Sequence, residues 1–416
     1  MNIITSLFIV SLFSYLMIEL WLNHKNQQHI LAHREQVPAE FSAVVQLEEH
    51  QKAADYSLIK LSVAKLGLFV DSLLLLIMTI GGGFQTIYDV LQASQLLSGV
   101  GQDVAFLLSV FALMSLVGLP FSLYSTFVVE QKFGFNKTTP VKFVTDLLKQ
   151  WALMLTLGVP LLWGMVAIMN AFIDDVWWLY AWAGWMAFNV LLLWAFPIWI
   201  APLFNKFTPL ADGEMKDRIE ALLAKTGFNS NGIFVMDGSS RSGHGNAYFT
   251  GLGKNKRIVF YDTLLEKLTV DEVEAVLAHE LGHFKHGHIK QRFIEGALMS
   301  LAGLALLGWL VQLPEFYSGL GMTTQSPVIA LLLFMTAVPT LFFWLGPLMA
   351  IKSRTHEFEA DAFAAQHASA PSLISALLGM YRDNASTLTP HPWYSAYHDS
   401  HPPAKIRIDH LKSISA

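Results

Sequence analysis

Runs of apolar residues alternate with polar segments along the chain, and seven of these runs are long enough to cross a lipid bilayer. Because a helix rises 1.5 Å per residue, about 20 apolar residues suffice for one crossing. The two largest polar segments are residues 201–292 and 352–416. The pattern predicts a mainly α-helical, polytopic membrane protein with spans at residues 3–22, 61–84, 104–129, 151–173, 176–200, 293–313 and 327–351.

Lysine and arginine are distributed unevenly over the segments that connect these runs. Residues 23–60 and 130–150 each carry four, whereas residues 85–103 and 314–326 carry none. Basic loops of membrane proteins remain on the cytoplasmic side. The alternation therefore predicts an N-terminus outside, a C-terminus in the cytoplasm and both large polar segments on the cytoplasmic side. The membrane would be the inner membrane of a bacterium or, in a eukaryote, that of the endoplasmic reticulum.

The segment 201–292 has the pattern of a small α/β unit. An amphipathic stretch over residues 214–225 predicts a helix, and three short apolar runs predict strands. The glycine-rich stretch from Gly238 to Gly253 lacks the G-K-[ST] of a phosphate-binding loop, so we do not interpret it as one. The strands are expected at residues 232–236, 246–249 and 257–261.

Composition agrees with a membrane protein and narrows the possible chemistry. The 416 residues are 53% hydrophobic and 14% charged, whereas a soluble domain is nearer a quarter charged. The net charge of -5 argues against a nucleic-acid partner. Because the chain has no cysteine, a zinc ion could be bound only by histidine and carboxylate side chains.

The α/β unit ends in the sequence His279-Glu280-Leu281-Gly282-His283, an H-E-x-x-H motif. Thr269 and Glu272 form a capping-box pattern that predicts a helix through the motif. Residues four apart on a helix lie one above the other, so His279 and His283 would direct two imidazoles at one Zn²⁺. Glu280 could then reach a water at the metal without being a ligand.

Two nearby histidines were considered as further ligands. His286 shares the face of the motif but lies about 7 Å along the helix axis beyond the midpoint of the pair, too far for a common metal. His288 is expected to point to the opposite side. We interpret both as polar residues at the membrane edge, so the third ligand must come from elsewhere in the chain.

Carboxylates at helical spacing follow the last apolar run. Glu357 and Asp361 are four residues apart and share one helical face, whereas Glu359 points away from both. Glu357 would complete a His₂Glu site with an open position for water. Asp361 could accept the free ring N–H of a ligand histidine and fix its tautomer. An ordinary charged helix face is the alternative reading of the two carboxylates.

The H-E-x-x-H motif, followed by Ser353-Arg354 with Glu357 and Ala360-Asp361, resembles the type I CAAX prenyl endopeptidases, integral-membrane zinc metalloproteases of the gluzincin type. The resemblance runs through much of the chain. Long loops of some eukaryotic members are missing, so the chain resembles a compact, bacterial-type member. The further matching segments are Glu130, residues 132–137, residues 203–210, His244, residues 246–249, residues 255–259, residues 401–403 and Arg407.

This resemblance implies a fold and a role for each matching residue. The fold would be seven transmembrane helices that enclose a water-filled chamber. Residues 1–200 would form a membrane region of five helices, and residues 201–416 a metalloprotease domain that includes the last two. One zinc ion per chain would be bound by His279, His283 and Glu357, with Glu280 as general base and Asn246, His401 and Arg407 in contact with the substrate or transition state.

The leading functional hypothesis is a zinc endopeptidase that cuts near the C-terminus of a prenylated or otherwise membrane-associated peptide. A second hypothesis, a quality-control protease acting on misfolded or stalled membrane proteins, requires the same residues. A third is a seven-helix transporter or receptor with a fortuitous motif, which predicts no bound zinc and no dependence on Glu280. The sequence does not separate the first two.

Overall fold

The structure, a computed structural model, describes residues 2–251 and 256–415 and is mainly helical. Six of its helices are long and apolar enough to cross a membrane. They correspond to the first six predicted spans, each extended at one or both ends. Their bounds are Ile3–Ala32, Leu47–Met78, Val100–Glu130, Pro140–Ala171, Trp177–Phe204 and His288–Leu310.

The seventh predicted span, residues 327–351, is not one continuous helix. It consists of a short apolar helix, Pro327–Thr336, a 3₁₀ turn, Val338–Leu341, and the first residues of a long helix, Leu345–His367. Pro339 lies in the 3₁₀ turn. Proline has no N–H to donate, and its ring clashes with the preceding helical turn, which accounts for the break.

A carboxylate within the first apolar run faces a cavity. Glu19 lines a space of about 770 Å³ between the first membrane helix, Ile3–Ala32, and the start of Leu345–His367. Its side chain lies 3.3 Å from His398 of the C-terminal segment. Charged groups inside a membrane normally face protein or water, and Glu19 follows this rule.

The polar segment after the fifth membrane helix contains a four-stranded sheet of order β1-β2-β4-β3. Strands β2 and β4 are parallel, and the other two pairs are antiparallel, so β3 is an edge strand. The three predicted strands match β2, β3 and β4, and β1 adds a strand that was not predicted. Residues Gly253 and Asn255 lie outside the described residues. The bounds are β1 Phe207–Pro209, β2 Ile233–Met236, β3 Ala247–Thr250 and β4 Arg257–Tyr261.

The core of this unit forms where the motif helix, Val270–Lys285, packs against the helix Leu345–His367. The two backbones approach closely at Gly282, where an added Cβ would lie 2.8 Å from the Cα of Ala360. A glycine is thus required for this approach, which places the two helix faces that carry ionisable residues side by side. The other helices are Gly83–Ser94, Glu214–Thr226, Asp262–Leu265, Pro314–Gly319, Ala370–Asp383, Pro392–His398 and Ala404–Ser415.

Candidate metal centre

The helix Val270–Lys285 begins as the capping box predicts. The Thr269 hydroxyl accepts a hydrogen bond from the backbone N–H of Glu272, and the Glu272 carboxylate accepts one from the N–H of Thr269. Both otherwise unpaired donors of the first turn are satisfied in this way. The helix then runs without a break through the H-E-x-x-H motif.

Three side chains meet at one point between the two packed helices. His279, His283 and Glu357 each offer an atom, and these atoms all lie within 4.8 Å of one another. The Nε2 atoms of His279 and His283 lie 3.4 and 3.3 Å from the two oxygens of Glu357. Two ligand atoms about 2.05 Å from a tetrahedral zinc ion are separated by about 3.3 Å, so these spacings fit a shared ion.

The burial of Glu357 also supports a metal ion shared by the three side chains. Its side chain is 1% exposed, and its Oε2 accepts no hydrogen bond from any residue that the structure describes. Nη1 of Arg407 lies 3.7 Å from this oxygen, too far for a hydrogen bond, and a buried carboxylate oxygen that no donor or metal ion contacts is costly. The donor set of two imidazoles and one carboxylate therefore fits a zinc ion.

Asp361 lies behind His279, fully buried, and contacts two residues. Its Oδ1 lies 2.8 Å from Nδ1 of His279, on the side of the ring away from Glu357. Arg407 donates two hydrogen bonds to the same carboxylate, from Nε at 2.9 Å and from Nη2 at 2.5 Å. Asp361 can therefore fix the orientation of the His279 ring.

The sequence predicts that Arg407 contacts the substrate or transition state, whereas in the structure its guanidinium mainly contacts buried carboxylates. It is buried, its guanidinium is paired with Asp361, and Nη1 lies 3.7 Å from Oε2 of Glu357. One edge of the residue still lines the cavity in front of the motif. The sequence pattern gave no sign of the ion pair, because residues 361 and 407 meet only through tertiary packing.

The cavity in front of the motif has a volume of about 660 Å³ and contains the remaining candidate residues. Glu280 lines it and is half-buried. His401 is exposed on its rim, with Nε2 3.4 Å from Oε1 of Glu357. Asn246 is exposed at the start of β3, where its side chain accepts a hydrogen bond from the N–H of Ala247. Five of the candidate residues proposed from the sequence thus line this cavity, and the other three, His283, Glu357 and Asp361, lie behind His279 or beside it.

The environment shifts the pKa of several of these groups. Burial raises the pKa of Glu280 above its ordinary value, against the opposing effect of His279 and His283, so its carboxylate is a stronger base than in water. Burial also tends to raise the pKa of Glu357, but the imidazoles of His279 and His283 beside its two oxygens outweigh it and hold that pKa well below its usual range. The two carboxylates therefore have distinct proton affinities, as a base and a ligand require.

The pKa of His279 is also perturbed. Burial and the charge of Arg407 lower it, but the adjacent carboxylates of Asp361 and Glu357 outweigh them and raise the pKa of His279 to about 9. The metal-free site therefore favours a protonated His279. A metal ion must displace this proton when it binds.

His288 is not the solvated polar residue that its position in the sequence indicated. It is 1% exposed, its Nδ1 lies 3.0 Å from Nδ1 of His283, and its Nε2 lies 2.7 Å from a carboxylate oxygen of Glu359. The interpretation of His288 as a membrane-edge residue is therefore wrong, whereas His286 is exposed as expected. Glu359 points toward His288 and not toward the metal ligands.

Local chain geometry explains why this contact was missed. Gly287 adopts a positive φ of 72° between the helices Val270–Lys285 and His288–Leu310 and separates the two helices. A continuous helix would carry His288 away from His283, but the turn brings it back over the His283 ring. The glycine between two helical patterns was the available signal, since glycine readily adopts this conformation.

Comparison with known proteins gives a consistent result. The family model described as CAAX prenyl protease N-terminal, five membrane helices, matches residues 26–206, and that of Peptidase family M48 matches residues 209–415. CAAX prenyl protease 1 of Saccharomyces cerevisiae is 38% identical over 336 residues, which cover 77% of this chain and 74% of that protein. The homolog of Dictyostelium discoideum is 32% identical, with coverage of 97% and 96%.

A solved structure extends this similarity to the whole fold. The crystal structure of S. mikatae Ste24p matches with a TM-score of 0.91 and 33% sequence identity, covering 99% of each chain. At this identity and coverage the two chains share the membrane helices as well as the sheet and the motif helix.

Proposed function

The chain belongs to peptidase family M48, with the N-terminal membrane region of the CAAX prenyl proteases, and is a membrane metalloendopeptidase; on this premise we propose that it uses one zinc ion to hydrolyse peptide bonds near the C-terminus of prenylated, CAAX-type proteins. His279, His283 and Glu357 bind the ion in this proposal. The observation that carries it is the separation of 3.3 to 3.4 Å between the ligand atoms of these residues, in the wall of a cavity that Glu280 also lines.

In the proposed mechanism zinc and Glu280 have different roles in the hydrolysis of the peptide bond. When bound, zinc supplies a Lewis acid that polarises the scissile carbonyl and makes water acidic enough to lose a proton near neutral pH. Glu280 takes the proton from the water as its oxygen attacks the carbonyl carbon. The same carboxyl group then returns the proton to the nitrogen of the leaving amine as the C–N bond breaks.

Other residues of the site bind the substrate or orient a metal ligand. His401 Nε2, on the rim of the cavity, can donate to the oxygen that becomes negatively charged in the transition state. Asn246 lies at the start of edge strand β3 and can hold the substrate backbone as an added strand. Arg407 acts mainly through Asp361, which in turn orients His279.

We also propose that the catalytic residues face the cytoplasm, with the N-terminus outside, and that residues 1–200 and 201–416 form the membrane region and the metalloprotease domain. The uneven distribution of lysine and arginine supports this orientation. Because the chain has no cysteine, a single cysteine at Glu315 can report topology. An impermeant thiol reagent should label it from outside, and labelling only from the cytoplasmic side would contradict the orientation.

A cleavage assay with the purified protein in detergent tests the proposed substrate. We expect cleavage of a prenylated CAAX peptide and loss of that activity when a chelator removes the metal. The same peptide without its prenyl group is the matched control and should be cut much more slowly. Equal cleavage of both peptides would favour the quality-control protease, and absence of zinc from an active protein would contradict the proposed centre.

A further inference from the structure

A second cavity adjoins the one that contains the candidate metal centre. It has a volume of about 580 Å³, and three residues, His244, Asn384 and Ser386, line both cavities and so form the wall between them. Lys60 and Tyr56, from the membrane helix Leu47–Met78, also line the second cavity, and the Tyr56 hydroxyl lies 3.5 Å from Nε2 of His244 in the shared wall. The two spaces are thus neighbours along one path that starts at the metal ligands.

Lys60 is the one lysine or arginine among the described residues that line this second cavity. Its Nζ lies 3.5 Å from the hydroxyl of Tyr56 and 4.7 Å from the centre of that ring. Within residues 2–251 and 256–415, no carboxylate lies within ion-pair distance of it. The ammonium group therefore has donors that no protein anion uses.

The acidic residue of this cluster is already engaged by other groups. Glu130 accepts a hydrogen bond from the Tyr56 hydroxyl at 2.5 Å, and its other oxygen lies 3.4 Å from Nε2 of His244. Phe135 stacks on the His244 ring, with 4.2 Å between the ring centres. These contacts hold Glu130 at the wall between the cavities. Lys60 lines the second cavity and forms no ion pair with Glu130.

The edge strand gives the direction in which a bound peptide would run. Strand β3 has β4 on one side only, and Asn246 and Ala247 at its start line the cavity of the metal centre. A peptide that adds to this edge in the antiparallel sense runs opposite to β3. Its residues after the scissile bond then pass Asn246 and continue toward Gly245 and His244, the wall of the second cavity.

A CAAX sequence carries its C-terminal carboxylate a short, defined distance beyond the scissile bond. Three residues follow the prenylated cysteine, and the last of them carries the α-carboxylate of the chain. Three extended residues cover about 10 Å, so the α-carboxylate lies about that far beyond the scissile bond, in the direction of the shared wall. A carboxylate that leaves bulk water requires a cationic or hydrogen-bonding partner.

We propose that Lys60 is the acceptor for the C-terminal carboxylate of the substrate, and that the second cavity binds the residues released by cleavage. This inference rests on the proposed function, because it assumes a peptide cut near its C-terminus. It adds a physical reason for that position, since an acceptor for the chain end in the cavity next to the metal centre favours a bond close to the C-terminus.

Two peptides that differ only at their C-terminus test the role of Lys60. One is a prenylated CAAX peptide with a free carboxylate, and the other is the same peptide as a C-terminal amide. The wild-type protein should cleave the acid with a kcat/KM about 10- to 100-fold higher, the range expected for one charge-assisted contact. Lys60→Met should abolish this preference mainly by raising KM for the acid, with little effect on the amide.

Two further variants separate this role from a general effect on the fold. Lys60→Arg keeps the positive charge and should retain at least part of the preference. Lys65→Met removes a lysine from the same helix that lines neither cavity, and it should behave as the wild type. Zinc content and thermal stability are measured on each sample.

The outcomes distinguish this inference from the proposed function. If the wild type cuts the acid and the amide equally well, or if Lys60→Met slows both to the same extent, Lys60 is not the acceptor although the protein is still a peptidase. If the wild type cuts neither peptide, the proposed function itself fails.

Discussion

Asp361 Oδ1 lies 2.8 Å from Nδ1 of His279, and Arg407 donates to both oxygens of the same carboxylate, from Nη2 to Oδ1 and from Nε to Oδ2. With Asp361 accepting from Nδ1–H, the Nε2 of His279 is the nitrogen that faces Glu357 and that becomes free for a metal once its proton is lost. A carboxylate in this position fixes the tautomer and the angle of a ligand ring. Asp361 thus holds the His279 ring in the orientation that metal binding requires before any ion binds.

Removing this support should weaken the metal site. Asp361→Asn is expected to lower zinc affinity by roughly 10–100-fold, since partners of ligand histidines typically have effects of this size. It also removes the nearer of the two carboxylates that neutralise the buried Arg407, which should destabilise the fold by up to about 3–5 kcal/mol. Competition against a chelator and thermal unfolding measure the two effects. Asp409→Asn, exposed on the same helix as Arg407, is the control, and equal zinc affinity in both variants would refute the role of Asp361.

The second ligand histidine has a support of its own. With Nε2 of His283 directed at the metal, its Nδ1–H donates to Nδ1 of His288, whose Nε2–H donates to Glu359. His288→Ala should lower zinc affinity by about tenfold or more, and Glu359→Gln should have a smaller effect because Glu359 is partly exposed. His286→Ala, an exposed neighbour, should not change the affinity. Faster zinc loss from all three variants to the same extent would argue against a positioning role.

The helix contact at Gly282 predicts that replacing this glycine by alanine lowers stability, the opposite of the usual effect in a helix. Glycine to alanine in an exposed helix normally stabilises by about 1 kcal/mol. At Gly282 the added Cβ would lie 2.8 Å from the backbone of Ala360, so Gly282→Ala should instead lower thermal stability and zinc affinity together. Gly296→Ala, with no heavy atom within 4 Å of its added Cβ, is the control. A Gly282→Ala variant as stable as the wild type would show that the helices are not held this closely.

The sequence predicted the parts of the site that depend on local spacing. His279 and His283 lie one helical turn apart, as do Glu357 and Asp361, and an α-helix fixes those relationships without reference to the rest of the fold. The pairing of Asp361 with Arg407 depends on how distant helices pack, so no local pattern contains it. His288 was misplaced because a single residue with positive φ, Gly287, ends one helix and starts another.

In the membrane region, too, the sequence predicts continuous local features and misses local breaks and tertiary pairing. Hydropathy identified six membrane helices, because their apolar runs are long and continuous. The stretch 327–351 is equally apolar, but hydropathy averages over the break at Pro339 and does not detect the 3₁₀ turn. The strand Phe207–Pro209 is too short for its alternation to be read, and it exists because β2 offers it a partner.

Zinc binding should depend on pH through His279. In the metal-free protein its pKa is raised to about 9, above the ordinary value of 6.5, so the ring is protonated at pH 7.5 and must lose that proton when a metal binds. Zinc affinity should therefore rise by up to tenfold per pH unit between about pH 7 and 9. Calorimetry in buffers of different ionisation enthalpy should detect about one released proton, and a heat that is independent of the buffer would contradict this.

The same raised pKa has a consequence for the metal-free fold. Because the folded-state pKa of His279 exceeds the unfolded value, its protonation stabilises the metal-free protein fully below about pH 6.5. This contribution is lost as the pH rises through about 9. Thermal unfolding of the metal-free protein, measured across this range, should show a loss that His279→Gln lacks. A parallel loss in that variant would assign the effect to another group.

The most direct test of the proposed mechanism is Glu280→Gln, with zinc content and cleavage of the prenylated CAAX peptide measured on the same purified samples. The substitution preserves shape but removes the proton acceptor beside His279 and His283. We expect full zinc occupancy and unchanged peptide binding, with a kcat lower by at least the ~10²–10⁴ associated with general acid–base catalysis. A variant that retains its zinc and cleaves at the wild-type rate would contradict the assignment of Glu280 as the base.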